Sequence, residues 1–259
     1  MIRQHKKMIL LTSIITLFPI FIGLLLWNQL PDSLATHWGI NNGPNGYASK
    51  TFAVFGLPLI MLLGHAVSVI AMNIDPKVKN ISEKVYFVIL WIIPLLSLFV
   101  CNVLYGYNLG YQLDMGFLCG LMIGVFYLIL GNFIPKVKPN YTIGFRISWA
   151  LCDPENWYRT HRFGGKCMVI GGIIMIVTAP FQNMWILIVL ILVPCILPVI
   201  YSYLYYRKIF HNYVIPFYIQ SAGNMPADFF VIHPEKLPMA GGIYFIYAMY
   251  GLCVRNMVV

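Results

Sequence analysis

Six apolar runs, separated by polar segments, account for most of the chain. A helix of about 20 residues spans roughly 30 Å, which is the thickness of the hydrocarbon core of a bilayer. Each run is long enough to cross it. The pattern therefore predicts an all-α integral membrane protein with six transmembrane helices, over residues 8–27, 52–72, 85–105, 113–134, 164–181 and 184–206.

Basic residues between the runs favour one side of the predicted membrane. If the runs alternate in direction, sixteen of the seventeen Lys and Arg residues lie on the side of the N-terminus, and Lys50 alone lies on the other. Cytoplasmic loops are enriched in Lys and Arg. We therefore predict a cytoplasmic N-terminus, a basic inner loop over 135–167 and an outer loop over 28–51.

This pattern also suggests a division of the chain. We predict an N-terminal membrane domain over 1–112 with three spans and the outer loop, and a second membrane domain over 113–208 with three spans and the inner loop. Residues 209–259 form a C-terminal extension of unknown role. Within it, residues 237–254 are apolar and aromatic, which is typical of either a seventh span or an interfacial helix.

Composition supports the membrane class. The chain is 60% hydrophobic and only 10% charged, whereas soluble domains carry about 25% charged residues. The net charge of +9 is typical of basic loops beside anionic lipid. We expect a multi-pass protein of the cell membrane that contacts anionic membrane lipids and does not bind nucleic acid directly.

Candidate chemistry is sparse. His65 is the single ionisable residue deep in a predicted span, and without a carboxylate partner such a residue is more often a packing group than a proton relay. No Cys-x-x-Cys pair indicates a metal site, and no nucleophile and base accompany His161 in a known arrangement. We expect no catalytic residue, no metal, no cofactor and no enzymatic activity.

Glycines recur every four residues on the fourth run, at Gly116, Gly120 and Gly124. They share one helix face, where a neighbouring helix can approach closely. Packing within the chain is the favoured interpretation, and a dimer interface is the alternative.

The outer loop contains a turn signal, Gly43-Pro44-Asn45-Gly46, in which Pro presets one turn residue and Gly accepts a positive φ. A turn here could bring the residues before and after it together. The loop is either an extracellular recognition patch or a compact loop anchored at the interface by its aromatic residues. The candidate recognition residues are His37, Trp38, Gly43, Pro44, Gly46, Tyr47 and Lys50.

The inner loop has more specific content. Pro135 and Pro139 stop helix, residues 140–144 turn the chain, and a group rich in Arg and Trp follows. Arg recognises carboxylate or phosphate in a planar, bidentate manner. Binding of anionic headgroups explains the charges but does not explain the Asn, Thr and Gly residues of the loop.

The inner loop resembles the signature of the Sdp-type toxin immunity protein (SdpI) family, Gly-Asn-x-x-Pro-Lys-x-x-Pro-Asn, then Gly-Ile-Arg-Thr-Pro-Trp-Thr-Leu, then Trp-x-x-Thr-His-Arg-x-x-Gly. The outer loop is similar to the N-terminal domain that is commonly fused in that family. Phe145, Ile147 and Ser148 depart from the signature. The inner-loop matches are Gly131, Asn132, Pro135, Lys136, Pro139, Asn140, Gly144, Arg146, Trp149, Leu151, Trp157, Thr160, His161, Arg162 and Gly165. The outer-loop matches are Pro31, His37, Gly43, Pro44, Gly46, Tyr47 and Lys50.

The resemblance implies a membrane immunity protein that protects a Gram-positive cell from a secreted, membrane-active peptide toxin. It also implies, for some members, a signal receptor that captures a soluble winged-helix autorepressor at the membrane. The toxin would meet the outer loop, and the repressor would dock on the inner-loop motif from Asn132 to Arg162. The alternatives are a small multi-span transporter or exporter, and a membrane-embedded enzyme that uses His161 and Arg162 on lipid headgroups.

Overall fold

A computed structural model describes residues 2–181 and 183–209, and in this part of the chain seven α-helices accompany one two-stranded antiparallel sheet. Six of the helices are long and apolar enough to cross a membrane, which confirms the predicted fold class. The suggested seventh or interfacial helix at 237–254 lies outside the described residues. The elements are α1 (Ile2–Leu25), β1 (Ser33–Trp38), β2 (Pro44–Ser49), α2 (Leu57–Ile74), α3 (Glu83–Asn108), α4 (Met115–Phe133), α5 (Ser148–Cys152), α6 (Pro154–Thr178) and α7 (Met184–Ile209).

Helices α1, α2 and α3 pack together through apolar side chains and a few buried hydrogen bonds. His65 Nε2 lies 3.0 Å from the hydroxyl of Thr12, which joins α2 to α1. The Ser97 hydroxyl donates to the carbonyl of Thr16 at 2.8 Å, which joins α3 to α1. His65 is therefore a hydrogen-bonded packing residue between two helices.

Helices α4 and α6 touch backbone to backbone. A Cβ on Gly124 would lie 3.0 Å from the carbonyl oxygen of Gly172, and one on Gly131 would lie 2.8 Å from that of Gly165. Gly120 faces Ala179, just beyond the end of α6, whereas Gly116 lies beside Asn42 and Asp114. Because no side chain separates the helices at two levels, this glycine contact fixes how closely α4 and α6 approach.

Helix α6 begins ten residues earlier than the apolar run at 164–181 predicts. The Asp153 carboxylate accepts from the backbone N–H of Glu155, and Pro154 occupies the first turn. The inner loop therefore ends at residue 153, and the prediction of a loop up to 167 was wrong. The charged residues Glu155, Arg159, Arg162 and Lys166 lie on the exposed face of this amphipathic helix. Its buried face carries positions 156, 157, 160, 161, 164, 165 and 168.

The outer loop is a β-hairpin. Strands β1 and β2 pair from Ser33↔Ser49 to Trp38↔Pro44. The chain reverses between Gly39 and Gly43, where the N–H of Gly39 donates to the Gly43 carbonyl. The predicted turn at 43–46 was wrong, since Pro44 already begins β2.

Two buried apolar clusters lie at opposite ends of the molecule. The outer cluster lies under the hairpin and includes Leu34 and Tyr105. The inner cluster includes Met72 and Tyr86 from the first half of the chain and Val137 and Trp157 from the second. The inner loop therefore joins the two halves of the protein.

Candidate functional site

Asn140 organises the inner loop from within. Its side chain is fully buried. The side-chain amide donates to the carbonyls of Lys138 and Ile143, and the side-chain oxygen accepts from the backbone N–H groups of Thr142 and Ile143. One side chain thus satisfies four backbone groups of the turn, as Asn does where it substitutes for backbone pairing.

Asp75 fastens this turn to α2. Its carboxylate accepts from the N–H of Lys77 at 2.7 Å, from the N–H of Tyr141 at 2.9 Å and from the Thr142 hydroxyl at 2.6 Å. A carboxylate just after the C-terminus of a helix is disfavoured by the helix dipole. The three donated hydrogen bonds offset that cost, so the position of Asp75 depends on the loop.

His161 lies under the loop with both ring nitrogens engaged. Nδ1 donates to the carbonyl of Trp157 at 2.8 Å, and Nε2 accepts the backbone N–H of Phe145 at 3.0 Å. A donor at one nitrogen and an acceptor at the other define a neutral ring of one tautomer. The ring also stacks on Trp157 at a centroid distance of 4.0 Å. His161 is therefore committed to structure and has no nitrogen free for proton transfer.

Gly144 leaves space for that ring. Its φ is +110°, and a Cβ at this position would clash with His161 Nε2. Both the backbone conformation and the contact require glycine. The motif therefore has glycine at position 144 because the ring of His161, from the same motif, occupies the space of a side chain.

A second buried polar group joins α6 to α7. The Asn156 oxygen accepts from the hydroxyls of Thr160 at 2.9 Å and Ser202 at 2.8 Å, and its amide donates to the Ser202 carbonyl at 3.1 Å. All three side chains are fully buried. Asn156 and Ser202 were not predicted as site residues.

The predicted inner-motif residues therefore divide into three groups by exposure. Asn140, Trp157, Thr160 and His161 are fully buried and build the loop and its contact with α6. The half-buried members are Pro135, Pro139, Gly144 and Trp149, and the exposed members are Asn132, Lys136, Arg146 and Arg162. A partner that approaches from the predicted cytoplasmic side meets the exposed group.

On the opposite side, Asn108 at the end of α3 holds the hairpin. Its side-chain oxygen accepts the N–H of Ala35 at 2.8 Å, and its amide donates to the Ala35 carbonyl at 3.0 Å. The amide side chain thus pairs with β1 as a strand would. The backbone N–H and carbonyl of Ala35, on the edge of the hairpin, are satisfied in this way.

Asn42 fixes the hairpin turn to α4. Its amide donates to the Asp114 carboxylate at 3.0 Å, and its oxygen accepts the N–H of Gly116 at 3.0 Å. Asp114 also caps α4 by accepting from Phe117. Asn42 has a φ of 59°, a left-handed conformation that Asn tolerates. This tertiary contact explains why the chain turns at 39–43.

The hairpin brings some of the predicted outer recognition residues together, since His37 lies opposite Gly46 and Trp38 lies opposite Pro44. Tyr47 is 61% exposed, and the exposed His37 is hydrogen-bonded to Asn45 across the hairpin. Trp38 packs edge-on against Tyr107, with ring centroids 5.1 Å apart. Lys50 lies at the base of the hairpin, where it pairs with Asp32 and lies over the Trp27 ring.

Remaining members of that set lie near the turn. Gly43 ends the turn and has open space around it, and a Cβ on Gly46 would lie 2.9 Å from the Cβ of His37. Pro44 begins β2. The hairpin therefore offers Tyr47 and His37 to the outside, and the remaining residues set its shape.

Sequence reasoning missed several residues of both sites: Asp75, Asn156, Ser202, Asn42 and Asn108. Of these, Asp75 could have been found from the sequence. A carboxylate at the C-terminal end of a helix is disfavoured by the helix dipole, so a hydrogen-bond donor is expected nearby. Among the described residues, no group of three His, Cys, Asp or Glu side chains is placed to hold a metal ion.

Both loops fall in regions that resemble known proteins. Residues 136–202 match the model of the SdpI/YfhL protein family, and residues 14–62 match a domain of unknown function, DUF1648. The chain is 28% identical over 208 residues to "Immunity protein SdpI" of Bacillus subtilis (strain 168), a match that covers 77% of this chain and 96% of that protein. No solved structure matches the chain. The family resemblance expected from the inner-loop motif is thereby confirmed.

Proposed function

We propose, from its sequence resemblance to the SdpI family, that this protein is a non-enzymatic immunity protein of the cell membrane. It protects the cell that makes it from a secreted, membrane-active peptide toxin. The observation that carries this proposal is the match to Immunity protein SdpI, which extends over 96% of that protein. The matched regions include both the outer hairpin and most of the inner loop.

The geometry of the hairpin supports a role in recognition. Asn108 and Asn42 fasten it to the ends of α3 and α4, so its exposed side chains are held in place. An exposed tyrosine on a rigid support gives a large contact at a small cost in conformational entropy. Tyr47 is the best candidate for direct contact with the toxin, because its side chain is 61% exposed and forms no hydrogen bond or ring contact with a residue that the structure describes.

We extend the proposal to the opposite face. The exposed residues Lys136 and Arg146 form the docking surface for a soluble winged-helix autorepressor. The Arg146 guanidinium donates to the carbonyl of Tyr141 at 2.8 Å and is otherwise exposed. A guanidinium held from one side can still form a bidentate contact with a carboxylate of a partner.

The test of immunity uses a toxin-sensitive Gram-positive strain without its own immunity gene. The wild type and two variants, Tyr47→Ala and Tyr111→Ala, are expressed at matched levels. An Sdp-type toxin peptide is added, and membrane potential is followed with a voltage-sensitive dye. Tyr111 is a suitable control because it is 67% exposed and lies outside the hairpin, on the loop before α4.

We expect the wild type and Tyr111→Ala to keep the membrane polarised, and Tyr47→Ala to lose protection. Depolarisation of cells that express correctly inserted wild type would contradict the immunity role toward that toxin class. If both tyrosine variants protect as well as the wild type, the immunity role stands, but the hairpin has no role in toxin recognition.

Docking of the repressor is tested separately, by co-sedimentation of a winged-helix autorepressor with vesicles that contain the protein. We expect Arg146→Ala to lose capture while keeping protection, and Lys138→Ala to keep both. Lys138 is also exposed but stands at a variable position of the motif. Loss of capture in both variants would indicate general charge attraction instead of a docking surface.

A further inference from the structure

A cavity of about 430 Å³ opens on the flank of α6 and α7, at the predicted cytoplasmic end of both helices. The three basic residues that line it, Arg159, Arg162 and Lys166, come from α6, as does one acidic residue, Glu155. Their spacing of three and four residues places them on one side of the helix. The cavity therefore collects positive charge at the depth where a span leaves the bilayer.

Most of this charge is uncompensated. Arg159 pairs with Glu155 at 2.6 Å and lies over the Tyr205 ring. Arg162 and Lys166 are exposed, and neither forms an ion pair with a residue that the structure describes. Two cations that share a cavity favour an anionic ligand, and Arg with Lys is a combination that suits phosphate.

Aromatic rings line the same cavity. Phe163 of α6 stacks on Tyr201 of α7 with centroids 4.7 Å apart, and Tyr158 adds a third ring to the wall. Aromatic side chains of this kind are enriched where a protein meets lipid headgroups. The cavity thus combines phosphate-binding groups with the residues of a membrane interface.

Below the cavity, the same side of α6 becomes apolar. Ile170, Ile173 and Val177 follow Lys166 at helical spacing and are 58%, 50% and 64% exposed. Val177 lies roughly 17 Å from Lys166 along the helix axis. A molecule bound at the cavity by its phosphate would find an apolar surface for a hydrocarbon chain directly beneath it.

We propose that the cavity between α6 and α7 is a binding site for the phosphate headgroup of an anionic phospholipid, whose acyl chains lie along Ile170, Ile173 and Val177. Arg162 and Lys166 bind the phosphate, and Phe163 and Tyr201 contact the glycerol region. The site lies on the membrane-facing side of the protein and is separate from Tyr47 and Arg146, the residues proposed to contact the toxin and the repressor.

The test measures binding of phosphatidylglycerol and of phosphatidylcholine with the same acyl chains to the purified full-length protein, by native mass spectrometry from detergent. The variant is Arg162→Gln with Lys166→Gln. Its control is Lys79→Gln with Lys84→Gln, which removes two exposed charges on the same predicted side of the membrane but outside the cavity. Circular dichroism checks that both variants keep their helix content.

We expect the wild type to prefer phosphatidylglycerol and the cavity variant to bind it roughly 10- to 30-fold more weakly, the loss expected for two basic groups near a lipid phosphate. The control variant keeps its affinity. Equal binding of the two lipids, or equal loss in both variants, would overturn the site. Displacement of phosphatidylglycerol by inorganic phosphate would assign the cavity to a free anion and overturn its assignment to a lipid.

Discussion

Replacement of Gly144 by alanine should destabilise the protein more than a glycine substitution elsewhere, because two separate costs coincide there. The residue has a φ of +110°, and the added Cβ would clash with His161 Nε2. Holding a non-glycine residue in a left-handed conformation costs about 1–2 kcal/mol. Relieving the contact requires the loop or the ring to move.

That movement breaks the hydrogen bond from the Phe145 N–H to His161, which is 3.0 Å long. Leaving a buried donor and acceptor unpaired costs about 1–3 kcal/mol. Together the two effects predict a loss of about 2–5 kcal/mol in the free energy of unfolding. The loss is measured by unfolding with SDS in mixed micelles.

Two other glycines separate the contributions. Gly110 has a φ of +92° but open space around it, so Gly110→Ala reports the backbone cost alone. Gly43 has open space and is not among the glycines of positive φ, so Gly43→Ala should change little. If Gly144→Ala is no more destabilising than Gly110→Ala, the contact with His161 is not a constraint and the reasoning fails.

Three further predictions concern the contacts between helices and with the hairpin. Asn156→Leu should reduce the free energy of unfolding by about 1–2 kcal/mol, since it removes the buried partner of Ser202; unchanged SDS unfolding would refute this. Asn108→Ala should raise the hydrogen-exchange rate of the Ala35 amide, whose partner is the Asn108 side chain; retained protection would show that the hairpin holds without it. Gly131→Val should force α4 and α6 apart, because its side chain has no space beside the α6 backbone. Spin labels on the two helices would report an increased distance, and an unaltered distance would contradict the close contact.

Hydropathy was sufficient to predict the six spans, because burial in lipid requires long apolar helices whatever their neighbours are. It failed at the start of α6, where the exposed side of the helix carries Arg159, Arg162 and Lys166 and lowers the average. Local signals were nevertheless present: Asp153 at the N-cap, Pro154 in the first turn and Glu155 after it. Capping chemistry predicts this boundary better than hydropathy does.

The position of the hairpin turn could not be predicted from the local sequence. Gly43-Pro44-Asn45-Gly46 is a sound turn sequence, yet the chain reverses earlier because Asn42 is held by Asp114 and Gly116. Those partners lie more than 70 residues away in sequence. The family motif drew attention to residues of the inner loop, and only the structure shows that His161 and Asn140 lie buried within it.

The glycine contact between α4 and α6 limits the motions by which a change at one face of the protein can reach the other face. Its two levels, at Gly124 with Gly172 and at Gly131 with Gly165, are seven residues apart on each helix and thus roughly 10 Å apart along the axis. If one helix slid along the other, side chains would move to the glycine positions, where the facing backbone leaves no space for a side chain. Since the hairpin holds α4 at Asp114, we expect a force on the hairpin to reach the predicted cytoplasmic face as a joint tilt or rotation of α4 and α6 instead of a sliding motion.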